Sequence, residues 1–110
     1  MGRYITTIGT AGATTREIST TYQAVVNDRI LANMASSAFT ITLPVSSGAL
    51  TGDTVQIIDI AGNASSNNIT IGRNGAKING ATEDLVIDVA GAIVSLIYSG
   101  TTYGWIIGAV

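Results

Sequence analysis

The sequence predicts an all-β protein: an antiparallel sandwich, a jelly-roll-like fold or a small barrel, preceded by an extended N-terminal arm. Three observations predict it. Ile, Val and Thr supply 39 of the 110 residues, and β-branched side chains pack well on a pleated sheet but lose rotamer freedom in a helix. Apolar residues alternate with polar ones in several short runs. Turn residues separate these runs roughly every 8–12 residues, as in sandwiches and barrels.

The length of 110 residues fits one domain. We expect an arm over residues 1–20 and a single β domain over residues 21–110. Thr14 and Glu17 have the spacing of a helix capping box, but no apolar run of helical period follows, so we expect extended backbone with a short strand at residues 4–8. Such an arm either lies on a neighbouring subunit or is disordered.

Alternation and turn residues define the strands of the domain in order. Asn27-Asp28 predicts a tight turn, and Pro44 ends a strand because proline has no N–H for a central ladder. After Ile57 the apolar face switches, which a bulge or burial of both faces would explain. The expected strands are residues 22–26, 29–33, 39–43, 54–60, 69–71, 85–89, 92–98 and 103–107.

Two Asn-Gly pairs predict the tightest turns. Asn74-Gly75 and Asn79-Gly80 suit type I′ turns, which require positive φ at both central positions. They lie in a glycine-rich segment, residues 72–80, that has neither the P-loop sequence nor the spacing of a dinucleotide-binding loop. We therefore expect its glycines to serve turns and not a nucleotide.

The chain carries little charge, and this bounds its partners. Charged residues make up 11% of the sequence, against about 25% in an ordinary soluble domain. The basic residues are scattered, so no stripe for nucleic acid is expected, and no apolar run reaches the roughly 18 residues of a membrane span. A neutral surface rich in Ser, Thr, Asn and Gly is easily desolvated against another chain. We expect a homo-oligomer or packing into a larger particle.

We expect no catalysis, no cofactor and no metal. The sequence has no Cys and no His, which removes thiol chemistry, zinc sites and the commonest general base. Among the acids only Glu83 and Asp84 are neighbours in sequence, and a turn position explains them better than a catalytic pair. Calcium accepts oxygen ligands alone, but the sequence has no clustered acidic loop.

Three aromatic residues near the C-terminus are candidate interface residues: Tyr98, Tyr103 and Trp105. If exposed, their rings would stack on sugars. The alternative, which we favour, is that a final hairpin packs them into the core or a subunit interface, where aromatics bury large areas.

Five segments follow one another in a characteristic order: Ile41-Thr-Leu-Pro44, Gly52-Asp-Thr-Val-Gln-Ile-Ile-Asp59, residues 68–80, Leu85-Val-Ile-Asp88 and residues 98–105. Together they resemble a small β domain of tailed-bacteriophage virion proteins, of the head cement (decoration) or tail-fibre type found in cyanophages and related phages. The likeness covers about residues 22–107 and combines many weakly specific pieces. It implies an oligomeric, trimeric, non-catalytic particle component, and it does not choose between capsid and tail.

The first hypothesis is a capsid cement protein, a homotrimer on the capsid surface that is assembled in the host cytoplasm and bridges copies of the major capsid protein or other virion proteins. The short chain starting at Met1 and its low charge favour it over a fibre with a long shaft. Arg3, Tyr4 and Arg16 in the arm are the candidate clasp between subunits. The second hypothesis is a tail fibre, knob or adaptor module that binds a partner fibre or a host glycan. An enzyme is the third and least supported.

Overall fold

The computed structural model describes residues 14–108, and these form two packed β-sheets, which confirms the predicted all-β class. Arg3, Tyr4 and the strand predicted at residues 4–8 lie outside the described residues. A short 3₁₀ helix spans Ser46–Gly48. The described strands are β1 Thr14–Ile18, β2 Tyr22–Gln23, β3 Asp28–Ala32, β4 Phe39–Thr42, β5 Thr54–Asp59, β6 Ile69–Gly72, β7 Leu85–Ile87, β8 Ile93–Tyr98 and β9 Trp105–Ile107.

The chain crosses between the two sheets after each of the strands β1 to β5, and again between β7 and β8. One sheet has the order β1-β3-β5-β8-β9 and the other β2-β4-β6-β7. Because each strand from β1 to β5 is followed by one in the opposite sheet, the chain returns to the starting sheet in the same direction. Strands β1, β3 and β5 are therefore parallel neighbours, as are β2, β4 and β6. The pairs β5–β8, β6–β7 and β8–β9 are antiparallel.

The expected antiparallel pairing is thus correct only for the last three pairs, and both sheets are mixed. A period-two pattern shows which face of a strand is buried, but it does not show in which direction the neighbouring strand runs. A parallel pair needs a long crossover connection, and here a strand of the opposite sheet supplies it. Asn27, with φ of 68°, confirms the predicted turn, but the turn joins strands of different sheets.

Both sheets direct their alternate apolar residues into one core. This alternation follows the sequence pattern closely, for example in β4 and β6, where Ile41, Ile69 and Ile71 are fully buried. Each such side chain contributes about 1.5–3 kcal/mol relative to exposure. The largest fully buried side chains are Trp105, Ile30, Met34, Ile41, Leu43, Ile57, Ile69, Ile71, Leu96 and Val55.

Strand β5 does not change face where the sequence indicated a switch. Its register with β3 and β8 is continuous, which excludes a bulge. Val55, Ile57 and Asp59 point into the core, while Ile58 and Ile60 lie on the outer side, where Ile60 is 47% exposed. The inward face therefore ends in a buried carboxylate, and two isoleucines remain on the outside.

The buried carboxylate of Asp59 holds two loops to the end of β5. Its Oδ2 accepts the backbone N–H groups of Ala64 and Gly91, each at 2.9 Å, and its Oδ1 accepts that of Asn63 at 3.3 Å. A carboxylate out of water needs such donors. Asp59 thus fixes both the loop before β6 and the turn before β8.

The Asn-Gly turns have the predicted conformation. Asn74 and Gly75 have φ of 50° and 88°, and Asn79 and Gly80 have φ of 50° and 79°. A stricter requirement falls on Gly104, because a Cβ there would overlap the carbonyl group of Lys77. The Lys77 carbonyl also accepts the N–H of Trp105 at 2.8 Å. Only glycine allows this close approach of two backbone segments.

The N-terminal part of the described chain belongs to the sheet. Thr14–Ile18 is extended, as expected, and the capping-box spacing of Thr14 and Glu17 does not start a helix. The strand pairs in parallel with β3 along its whole length, from Thr14 opposite Asp28 to Ile18 opposite Ala32. The β domain therefore includes Thr14, and the boundary predicted at residue 21 is too late.

Candidate functional site

The predicted interface residues that the structure describes do not form one site. Arg16 lies on β1, at one edge of the five-stranded sheet. Tyr98 and Trp105 lie on β8 and β9, at the opposite edge, and Tyr103 lies in the turn between those strands. Strands β3, β5 and β8 lie between Arg16 on β1 and Trp105 on β9, and strands β3 and β5 lie between Arg16 and Tyr98 on β8.

Arg16 takes part in a cluster within the chain. Its Nε lies 3.6 Å from Oδ1 of Asp28, whose side chain is fully buried. The Tyr22 hydroxyl donates to Oδ2 of Asp28 at 2.7 Å, and the Val25 N–H donates to the same oxygen at 2.9 Å. The Arg16 guanidinium carbon also lies 5.6 Å from the centroid of the Tyr22 ring, within the range of a cation–π contact. The cluster joins β1, β2 and β3.

The same cluster changes the acidity of Tyr22. Burial, the hydrogen bond to Asp28 and the negative charge of Asp28 raise the pKa of the Tyr22 phenol to about 12, against a lowering effect of Arg16. Each of the raising effects disfavours the phenolate. The role of Arg16 that the structure displays is therefore to balance a buried carboxylate of its own chain.

Two of the three candidate aromatic residues are core residues. Trp105 is fully buried and Tyr98 is 4% exposed. They are register partners on β8 and β9, with ring centroids 5.2 Å apart and planes at 60°. This is the favoured tilted geometry of an aromatic pair. Burial in their own chain excludes both rings from direct contact with a partner, whereas Tyr103 is 63% exposed and accessible.

The outer side of the five-stranded sheet carries a ladder of hydrogen-bonded polar side chains. Thr15, Arg29, Gln56 and Ser95 occupy one row across β1, β3, β5 and β8. Arg29 donates to Gln56 at 3.0 Å and to Thr15 at 3.5 Å, and Gln56 donates to Ser95 at 3.2 Å. These hydrogen bonds satisfy the row in part, because the Arg29 guanidinium uses two of its five N–H donors and has no carboxylate within 4.0 Å among residues 14–108.

Apolar rows flank this ladder on both sides. Leu31, Ile58 and Ile93 form one row across β3, β5 and β8. Ile97 and Ile106 are register partners on the other side, 44% and 36% exposed. We call the two apolar rows and the ladder the outer sheet face. The outward side of a sheet that faces water usually carries polar residues. Here five partly exposed apolar side chains lie among polar ones, which include Glu17 opposite Leu31 and Thr54 opposite Ile97.

A second apolar surface opens on another side of the domain, and we call it the β7 groove. It is a groove of about 300 Å³ beside the edge strand β7, and it contains inward-facing residues of β8 and β9, so the core is accessible through it. Val86 and Val89 are 50% and 63% exposed there. The groove is lined by Leu85, Val86, Ile87, Asp88, Val89, Ala92, Val94 and Ile107.

Neither surface was identified from the sequence. Strand β8 carries the signal for the outer sheet face, since Ile93 and Ile97 occupy the positions that alternate with the buried Val94 and Leu96. The sequence alone does not show which side of β8 faces the core, and the outer sheet face can be recognised only once that is known. The β7 groove is lined by residues of β7, β8 and β9 and of the loop between β7 and β8, and no local sequence pattern shows that these segments meet.

Within residues 14–108, no group of three or more acidic side chains is placed to hold a metal ion. In the same part of the chain, no helix is long and apolar enough to cross a membrane.

No protein-family model and no curated protein matches this chain in sequence.

Proposed function

We propose that this protein is a non-catalytic structural subunit that assembles with copies of itself, and specifically a head cement protein of a tailed-bacteriophage virion. In this proposal it forms a homotrimer on the capsid surface and bridges the capsid subunits beneath. The observation that carries the assembly is the pair of exposed apolar surfaces, the outer sheet face and the β7 groove, on a domain with 11% charged residues. The sequence resemblance to virion proteins is the basis for proposing that the protein belongs to a virion.

Two different apolar surfaces favour a cyclic assembly over a two-fold dimer. A two-fold interface pairs one patch with itself, whereas a ring joins one patch to a different patch on the next copy. The outer sheet face extends across four or more strands of one sheet, whereas the β7 groove lies at the edge of the other sheet. Their association would bury apolar area worth roughly 25 cal/mol per Å², less the cost of association.

The assembly is tested by light scattering on purified protein. We expect a particle of about three times the monomer mass of 11.2 kDa. Ile97→Lys on the outer sheet face and Val89→Lys in the β7 groove should each reduce it to monomers, because an unpaired charge would be buried at the interface. Leu50→Lys is the matched control, since Leu50 is 72% exposed and lies on neither surface. A folded wild-type chain that remains monomeric would overturn the proposal.

Mixing the two variants distinguishes a ring from a symmetric dimer. Ile97→Lys keeps an intact groove and Val89→Lys keeps an intact face, so an equimolar mixture should form a mixed dimer through one undamaged interface. If each surface instead pairs with the same surface of another copy, no mixed dimer should form. The mixture should then contain only the species that each variant forms by itself. This experiment tests the interface independently of any virion.

The virion role is tested by adding the purified protein to phage heads that lack decoration. We expect saturable co-sedimentation and greater resistance of the heads to heat. The same heads bearing their native decoration provide the control, because occupied sites should not bind more. An assembled protein that fails to bind undecorated heads would overturn the cement role while leaving self-assembly intact.

The tail-module alternative loses its main support in the structure. It rested on an exposed aromatic cluster for stacking on sugars, and Tyr98 and Trp105 are buried. Tyr103 alone remains accessible among the three. We therefore propose the head role and not the tail role.

A further inference from the structure

A small cleft that contains two cationic side chains lies apart from both apolar surfaces. The loop after β6, the short 3₁₀ helix and the turn after β8 enclose it, with a volume of about 150 Å³. This is well above the roughly 10–15 Å³ that one water molecule needs. The loop cleft, as we call it, is lined by Ser46, Arg73, Gly75, Ala76, Lys77, Thr82, Tyr98, Gly100 and Thr101.

Two cationic side chains lie in this cleft without an acidic partner. Arg73 and Lys77 are half-buried. Within residues 14–108 neither lies within 4.0 Å of a carboxylate oxygen, and the ion pair formed there joins Arg16 and Asp28. Half-buried charges of one sign without a counter-charge are unfavourable. An anion in the cleft would compensate both.

Neutral contacts hold the two cations in place. Arg73 donates through Nη1 to the Ala76 carbonyl at 2.8 Å, and Lys77 donates through Nζ to the Thr102 carbonyl at 3.4 Å. Each retains further N–H donors, because guanidinium has five and ammonium three. The nearby Asp84 carboxylate accepts the backbone N–H of Arg73 at 3.0 Å and does not line the cleft. The cations are therefore positioned, with donors to spare.

Hydroxyl groups complete the donor set. Ser46, Thr82 and Thr101 each contribute a hydroxyl-bearing side chain to the lining, and a hydroxyl can donate to an anion. Gly75 preserves the space beside Ser46, since a Cβ on Gly75 would lie 3.3 Å from the Ser46 Oγ. The positive φ of Gly75, 88°, fixes this turn. The cleft thus combines two cations, three hydroxyls and no carboxylate.

We infer that the loop cleft binds a small oxyanion, a phosphate, sulfate or carboxylate group, through the side chains of Arg73 and Lys77 with help from the surrounding hydroxyls. The recognition uses side chains and so differs from a P-loop, where backbone N–H groups hold the phosphates. The cleft has room for the anionic group itself. The inference goes beyond the proposed assembly, because none of its residues lies on either apolar surface.

The test is a titration of the isotope-labelled full-length protein with sodium sulfate, followed by amide chemical shifts at constant ionic strength. We expect saturable shifts confined to the amides of residues 73–77 and 100–102, with a dissociation constant on the order of 1 mM, reasonable for so small a ligand. Arg73→Gln and Lys77→Met should each weaken binding by at least about tenfold, since each removes a charged donor. Arg29→Gln is the matched control, because Arg29 lies on the outer sheet face and not in the cleft.

Two outcomes would overturn the inference: no saturable shift, or a loss in Arg29→Gln equal to that in the cleft variants, which would indicate a general charge effect. Galacturonate and galactose as further probes distinguish the source of the anion. If galacturonate binds more tightly than acetate and galactose does not bind, the natural ligand is a carboxylate group carried on a saccharide. Binding of sulfate and phosphate alone supports a free inorganic ion. Oligomeric state does not enter this readout, so the anion site and the assembly fail independently.

Discussion

Replacement of Asp59 by alanine tests how the two sheets are connected. The Asp59 carboxylate accepts three backbone N–H groups, two of them at 2.9 Å. The substitution leaves these buried or half-buried donors without an acceptor. Hydrogen bonds to a charged acceptor contribute about 1.5–3 kcal/mol each, so we expect a loss of about 3–5 kcal/mol after allowing for release of the buried carboxylate. This is a large part of the roughly 5–15 kcal/mol that stabilises a typical domain.

Urea unfolding followed by Trp105 fluorescence measures the loss. The chain has one tryptophan, and it is fully buried, so its emission reports the core directly. A loss of this size lowers the urea midpoint by about 2 M. Asp59→Asn keeps one oxygen and the side-chain shape, and we expect about half the effect. Asp53→Ala is the control, because Asp53 is half-buried and accepts the Leu50 N–H at 2.7 Å, a contribution of about 1 kcal/mol. Equal midpoints for the Asp59 and Asp53 variants would refute the reasoning.

Three further predictions concern the remaining buried and strained positions. Gly104→Ala should cost more than about 3 kcal/mol or prevent folding, because its Cβ has no space, whereas Gly62→Ala, at positive φ in open surroundings, should cost only about 1 kcal/mol; comparable melting temperatures would contradict this. One of the tyrosines should ionise at pH about 12 in an absorbance titration, and Tyr22→Phe should remove that step. Because the folded pKa is raised above the ordinary value of 10.0, the stability from Tyr22 is complete below pH 10 and is lost as the pH rises towards 12; retention of the late step in the variant would assign it elsewhere. Arg16→Met should cost about 1–3 kcal/mol by leaving a buried oxygen of Asp28 without a charged partner, and unchanged urea unfolding would contradict this.

The sequence predicted the all-β class and the turn conformations because both depend on local chemistry. Stiff β-branched residues at every second position define a half-buried strand, and Asn-Gly pairs accept positive φ wherever they occur. The prediction of antiparallel pairing was wrong for four of the seven strand pairs formed within residues 14–108. Direction depends on which sheet the next strand joins, and the alternation of β4 would look the same with either kind of neighbour.

Candidate sites were harder to predict because residue type does not determine exposure. Trp105 and Tyr103 are both aromatic and lie two positions apart, yet one is fully buried and the other is 63% exposed. The strand places Trp105 opposite Tyr98 on the inner face, while Tyr103 lies in the turn. Arg73 and Lys77 were judged as part of a scattered basic set. Only the folded loops bring them together with hydroxyls from distant segments.

The edges of the sheets explain why assembly should proceed through side-chain faces and not through strand addition. Open edges tend to pair with other chains, and short or charged edge strands suppress this. Among residues 14–108 the edge strands β2, β7 and β9 have two or three residues each, and β1 carries Arg16 and Glu17. The longest strands, β5 and β8, lie inside the five-stranded sheet and present the isoleucines of the outer sheet face. Pairing between different edge strands leaves an open edge on each added chain, whereas contact between the outer sheet face and the β7 groove closes into a ring when the rotation allows it. A chain with blunt edges and apolar faces is therefore suited to a finite particle, and the trimer expected here is the smallest ring of that kind.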